Sequence, residues 1–341
     1  MFKKFAVLGF ALVMVVAILS ACGKNNNESG SSPSPATESS SSPSESASPS
    51  ESASPSESAS PSEAADQGYV PTELKVQFVP SQNADTLEAK AKPLEKLLSD
   101  KLGIPVTVSV STDYNTIIEA MASKQVDVGF LPPTAYVLAK DKGAAEVILQ
   151  AQRNGVKEPE GTATDELVDS YNALIIVRSD SDIKTLKDLK GKKIAWQNVT
   201  SSAGYVWPAV EMKKEGIDPE KDVTGVTVKG HDQAVLAVLN KDVDAAAIFG
   251  DARNIVLKDK PDVFQQTRII HTTAPIPNDT ISVRSDMSKE WIEKLQNAFI
   301  EIGQDPEGQK IIFEIYSHKG YVKSDDSKFQ IVREYGKEVG Q

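Results

Sequence analysis

Two short stretches carry side chains suited to holding a small anion. Asn198-Val199-Thr200-Ser201-Ser202-Ala203-Gly204 lies between a strand around Ile194 and a following helix. Hydroxyls and unpartnered backbone N–H groups at a helix start suit an oxyanion, because the first amides lack acceptors and the dipole is positive there. Plain capping by Ser201 or Ser202 explains the same residues. His231 follows Gly230 at the start of another helix, with Asp232 as a competing cap, and a structural role fits it too. Hydroxyl cluster, helix start and imidazole together point to an anion pocket more strongly than any one alone.

Catalytic readings are weaker. Ser201 or Ser202 with His231 and Asp251 makes a triad on paper, but no Gly-x-Ser-x-Gly elbow frames the serine. No Walker loop and no Gly-x-Gly-x-x-Gly fingerprint is present. Three scattered histidines and one cysteine offer no metal spacing and no disulfide framework. No cofactor, no metal and no catalysis are therefore expected.

The elements that position these residues alternate between strand and helix. Leu74-Lys75-Val76-Gln77-Phe78-Val79 has period two and stops at Pro80. Leu87, Ala91, Leu94, Leu98 and Leu102 recur at helical spacing up to Gly103, and Pro93 kinks that run or opens a second helix. A strand at residues 106–110, a helix with Ile117, Ile118 and Met121, and a strand at residues 126–131 follow. This β-α-β-α-β order predicts a mostly parallel sheet. A second set runs from Ala173-Leu174-Ile175-Ile176-Val177 through residues 193–196, a helix after Ser202, a helix over residues 232–239 and a strand over residues 243–249. Helices near residues 289–302 and 309–316 close the chain. Two α/β units predict two lobes with a ligand cleft between them.

Composition bounds the class. The chain has 341 residues and a net charge of −11, with a pI near 5.0, which argues against a nucleic-acid partner. Lys3 and Lys4 precede an apolar run over residues 5–19, shorter than the ~20 residues of a membrane span, so it reads as an export signal. Leu19-Ser20-Ala21-Cys22 resembles a bacterial lipobox, which implies a diacylated Cys22 and a membrane held through its acyl chains. The unit Ser-Pro-Ser-Glu-Ser-Ala then repeats up to Glu63. Such a sequence cannot bury enough apolar area to fold and reads as a partly stiff tether. The expected organisation is a signal over residues 1–21 and a lipidated, tethered segment over 22–68. One lobe follows from 69–171 plus 280–341, and the other from 172–279.

The folded part resembles the phosphonate-binding proteins of ABC transporters, a group that includes phosphite and phosphate binders. The resemblance runs through Val79-Pro80-Ser81-Gln82-Asn83-Ala84, Thr112-Asp113-Tyr114, Val128-Gly129-Phe130-Leu131-Pro132-Pro133, Tyr171-Asn172-Ala173, Thr200-Ser201-Ser202-Ala203-Gly204-Tyr205, Gly230-His231-Asp232 and Ile276-Pro277-Asn278-Asp279-Thr280. It implies a type II periplasmic-binding-protein fold, two α/β lobes joined by two crossover strands, that closes on its ligand.

Carried over, the family's Ser-Thr-Ser anion loop falls on Ser201, Ser202 and Ala203, and Ala203 departs from the pattern. The phosphonate-contacting histidine falls on His231, where a charged imidazole would strengthen its hydrogen bond and tie binding to protonation near pH 6.5. The acids that receive an amine in aminoalkylphosphonate binders fall on Asp251 and Asp279, with Tyr114 and Tyr171 as aromatic walls. Asp251 and Asp279 also fit a helix cap and a turn. Tyr136 reads as core more than cleft wall, Trp196 and Trp207 as packing, and Lys187–Lys193 as a solvated face. The expected protein is a monomeric receptor, lipid-anchored on the extracytoplasmic face, that passes a small phosphorus oxyanion to an ABC permease. The ligand is a phosphonate, with an aminoalkylphosphonate, phosphite or inorganic phosphate as variants. A receptor signalling to a membrane partner is the alternative outside transport.

Overall fold

Alternation in Leu74–Phe78 buries Leu74, Val76 and Phe78 and turns Lys75 outward. In a computed structural model that describes residues 68–341 except Asp251, this strand lies one in from the edge of a seven-stranded sheet. Cys22 and the Ser-Pro-Glu repeat lie outside the described residues, as does Asp251. The spatial order is Gly320–Lys323, Ala145–Lys157, Thr280–Arg284, Val128–Leu131, Leu74–Phe78 and Val106–Val110, with Thr162–Val168 paired onto Ala145–Lys157. A five-stranded sheet runs Thr267–Thr272, Ala173–Arg178, Ala245–Phe249, Lys193–Trp196 and Thr224–Thr227.

The expectation of mostly parallel sheets needs correction. Leu74–Phe78 is parallel to both neighbours, and so is Lys193–Trp196, but the remaining pairs are antiparallel. The reason is connectivity. Ala145–Lys157 folds back as a hairpin with Thr162–Val168, and Thr280–Arg284 enters from the opposite side after the second sheet is complete. The chain passes between sheets through Ser170–Tyr171 and returns through Ile276–Pro277. These two crossovers pair with each other, Ile276 opposite Tyr171 and Pro277 opposite Ser170. That is the architecture of a type II periplasmic binding protein.

Local signals set the helix ends that matter for the site. Asn83 caps Ala84–Ala91 by accepting the Thr86 N–H, and Pro93 opens a second helix, Pro93–Leu102, which ends at Gly103 with φ +73°. Asp113 accepts the N–H groups of Asn115 and Thr116, which places Tyr114 at the first position of Tyr114–Ala122. Gly230 opens His231–Leu239; a Cβ there would lie 3.0 Å from the Gln82 Cα, so the bare backbone lets the two segments meet.

Apolar packing fixes both sheets. Phe78 stacks on Phe130 with ring centroids 4.2 Å apart, under Leu295, Phe299 and Ile302 of the helix Lys289–Gln304. Trp207 stacks on Tyr335 at 4.4 Å and Tyr136 meets Phe329 edge-on at 4.9 Å. The C-terminal helix Gln330–Glu338 thereby ties Pro133–Asp141 to Trp207–Lys214. Tyr136 is fully buried and donates to Asp326, and Trp196 and Trp207 are buried, so all three are packing residues as expected. No helix among the described residues is long and apolar enough to cross a membrane.

Candidate ligand-binding site

A cavity of about 900 Å³ lies between the two sheets, at the ends of their strands. Of the expected site residues, Tyr114, Tyr171, Ser201, Ala203, His231 and Asp279 all line it. Ser202 does not.

Ser201 and Ala203 enter through a π-helical turn, Ser202–Val206, that runs into the helix Trp207–Lys214. The Ser201 hydroxyl accepts the Gly204 N–H at 3.2 Å, and its carbonyl accepts the Tyr205 and Val206 N–H groups. Ser201 thus caps the turn and also lines the cavity, with Tyr114 in the same wall. Burial holds the Tyr114 hydroxyl well above its ordinary range, so it stays protonated and can donate. Ser202 was expected to share the oxyanion through its hydroxyl. Instead its Oγ is fully buried, accepts the Thr134 N–H at 3.0 Å and lies 2.8 Å from the Thr134 hydroxyl. The hydroxyl is taken up in capping the helix Pro133–Asp141, which Pro132 cannot cap itself.

His231 is buried, and its Nδ1 accepts the Phe249 N–H at 3.2 Å. That bond fixes the tautomer, leaving Nε2–H as the donor. Burial, opposed by the nearby Asp279 charge, brings the imidazole down to about 3. The expectation of a charged donor there is corrected: the donor is a neutral imidazole with a set orientation. The His231 backbone N–H donates to the Ser81 carbonyl at 2.9 Å, joining the second sheet's helix to the loop after the first strand.

Asp279 was expected to offer a carboxylate to a ligand amine. It is already engaged. Arg153 Nη2 donates to its Oδ2 at 3.0 Å, and His318 Nε2 lies 3.3 Å from the same oxygen. Burial alone would raise the Asp279 carboxyl. The His318 hydrogen bond and the Arg153 charge outweigh burial and leave it below its ordinary value, hence ionised. Burial chiefly holds His318 neutral, so its Nε2–H donates to Asp279 and its Nδ1 accepts from the Tyr321 hydroxyl at 3.3 Å. The same Arg153 guanidinium sits over the Tyr171 ring, 4.7 Å from its centroid. Tyr171 therefore lines the cavity with its ring faced by a protein cation.

Sequence reasoning missed Arg153, His318 and the cavity-lining Gln82, whose amide donates to the Ile315 carbonyl at 2.8 Å. The strand Ala145–Lys157 held the one available signal. Arg153 ends the run Val147-Ile148-Leu149-Gln150-Ala151-Gln152, where a buried position should be apolar. Nothing local marked His318. It reaches Asp279 only because the return after the helix Pro306–Tyr316 lies beside the crossover. The far wall comes from the hairpin tip, where Arg253 donates to Glu158 at 2.8 Å and to the Pro159 carbonyl at 3.1 Å, and Asn254 donates to the Gly161 carbonyl at 2.9 Å.

Polar donors in one wall of a cleft between two sheets suit the holding of a small solute. The family model described as "ABC transporter, phosphonate, periplasmic substrate-binding protein" matches residues 76–329. The "Phosphate-import protein PhnD" of Mycolicibacterium smegmatis is 29% identical over 240 residues, 68% of this chain and 72% of that protein. The "Phosphonates-binding periplasmic protein" of Escherichia coli is 24% identical over 265 residues, 76% of this chain and 75% of that protein. Among solved structures, PhnD1 of Prochlorococcus marinus in complex with methylphosphonate has the same fold, with a TM-score of 0.67 at 17% identity. It aligns with 79% of this chain and 98% of its own. With that match over most of its length, the chain belongs to the periplasmic substrate-binding proteins of phosphonate ABC transporters, transport components rather than enzymes.

Proposed function

We propose that this protein is the lipid-anchored receptor of a bacterial ABC importer, holding a phosphonate in the cleft and delivering it to a membrane permease. The observation that carries the reading is the wall formed by Ser201, Tyr114 and the neutral His231. Two hydroxyls and one Nε2–H share the cavity with the start of the Ser202–Val206 turn, where Ala203 also lines it. Donors aimed from rigid elements suit a tetrahedral oxyanion, since hydrogen bonds to a charged acceptor are roughly twice as strong as neutral ones. Residues 69–171 with 280–341 and residues 172–279 act as the two closing lobes. Cys22 carries the lipid, and the Ser-Pro-Glu repeat gives the receptor its reach to the permease.

Phosphite or inorganic phosphate is the second reading. The pairing of Asp279 with Arg153 supports it, because no organic amine is needed to balance that carboxylate. The likeness to the phosphate-import protein of M. smegmatis supports it as well. Calorimetric titration with methylphosphonate, phosphite and phosphate separates the two. The first reading predicts that methylphosphonate binds tightest; the second predicts that one of the inorganic ions does. Membrane fractionation tests the anchor: Cys22→Ser should move the protein from the membrane fraction to the medium.

A further inference from the structure

Asp279 is a half-buried carboxylate facing a cavity that the reading above assigns to anions, an arrangement that opposes its own ligand unless the charge is balanced. Arg153 balances it. The side chain is only 9% exposed, its Nη2 holds Asp279, its plane faces Tyr171, and its Nε is buried without a partner. A cation with a carboxylate on one side and an aromatic face on the other fills the two contacts that would capture an ammonium group. The other acids lining the described part of the cavity, Glu160 and Glu314, are exposed at its rim.

We propose that Arg153 is a specificity-determining residue that occupies the position a ligand amine would take, so that the cleft selects phosphorus oxyanions lacking an amine. This rests on the phosphonate reading above and narrows it. A ligand ammonium entering the cleft meets the Arg153 charge and finds Asp279 and Tyr171 already engaged. A neutral alkyl group of the same size meets no such repulsion. Removing the guanidinium while keeping its bulk returns carboxylate and ring to the cavity.

The test is competitive calorimetry of the whole protein with 2-aminoethylphosphonate and propylphosphonate, which differ by an ammonium against a methyl. The wild type should bind propylphosphonate at least about tenfold more tightly. In Arg153→Met, the ratio of the two affinities should move by at least about tenfold toward the amine. Equal or tighter binding of 2-aminoethylphosphonate by the wild type overturns the inference, and this comparison stands even if Arg153→Met does not fold. A folded Arg153→Met that weakens both ligands equally also overturns it, since Arg153 would then serve the phosphoryl group. If neither ligand binds, nor methylphosphonate, phosphite or phosphate, the phosphonate reading falls together with the inference. Binding of methylphosphonate with no discrimination against the amine removes the inference alone.

Discussion

Ser202 Oγ accepts the backbone N–H of Thr134 at 3.0 Å, a bond that runs from the turn after one sheet to the first turn of a helix packed on the other. Its neighbour Ser201 lines the cavity instead. Adjacent hydroxyls that look alike in sequence therefore have separate places, one joining the two halves and one lining the cavity.

Ser202→Ala should cost stability and leave binding largely intact. The variant leaves the Thr134 N–H buried without an acceptor, at about 1–2 kcal/mol. Urea unfolding followed by circular dichroism should show the midpoint falling. Ser201→Ala should do the reverse, weakening phosphonate binding by about tenfold or more with a smaller change in midpoint. Loss of affinity in Ser202→Ala alone would contradict this division.

The neutral state of His231 has a consequence for stability against pH. Its imidazole sits at about 3 in the folded protein, against 6.5 when unperturbed, so the unfolded chain binds the extra proton between those values. The stabilisation is complete above about pH 6.5 and is lost as pH falls toward 3. Unfolding midpoints measured from pH 8 to pH 4 should fall more for the wild type than for His231→Gln. Over pH 6.5–8, and after correction for the ligand's own ionisation, affinity should show no step from this residue.

Glu211 gives a second pH dependence, away from the cleft. It accepts hydrogen bonds from His271 and from the Ala274 N–H, joining the helix Trp207–Lys214 to the strand Thr267–Thr272 and the loop after it. Burial works to raise its carboxyl, but these bonds prevail and hold it below its ordinary 4.5. Stability from this group is present above that value and is lost as pH falls through the lowered one. Glu211→Gln should flatten the wild-type decline in unfolding midpoint below about pH 4.5.

Gly204 cannot take a side chain without moving the Ser202–Val206 turn. A Cβ there would lie 1.9 Å from the Gln197 Cγ and 2.9 Å from the Ser201 Oγ. Gly204→Ala should destabilise by about 1–3 kcal/mol through overpacking. It should also lower phosphonate affinity, because Ser201 shifts with the turn. Unchanged affinity in a folded Gly204→Ala would show that the turn does not hold the ligand.

Much of this was legible from residue spacing. The strand Leu74–Phe78 and the helix from His231 follow from alternation and from Gly230. What could not be read depends on contacts distant in sequence. Arg153 lies 126 residues from Asp279, and His318 lies 39 residues from it. Spacing assigns Asp279 a carboxylate but says nothing of its counterion, so a free amine partner and an internal salt bridge look the same. The Ser201 and Ser202 ambiguity is of the same kind, because a helix start draws both a cap and a ligand, and only the position of Thr134 separates them. Sheet direction failed because the hairpin Ala145–Lys157 with Thr162–Val168 carries polar residues that hide its pairing.

The most direct test of the central claim is calorimetric titration of the protein with methylphosphonate, repeated with Ser201→Ala and His231→Ala. The account predicts saturable binding with one ligand per protein, weakened by about tenfold or more in each variant while both remain folded. A folded wild-type protein that binds none of methylphosphonate, propylphosphonate, 2-aminoethylphosphonate, phosphite or phosphate would contradict it.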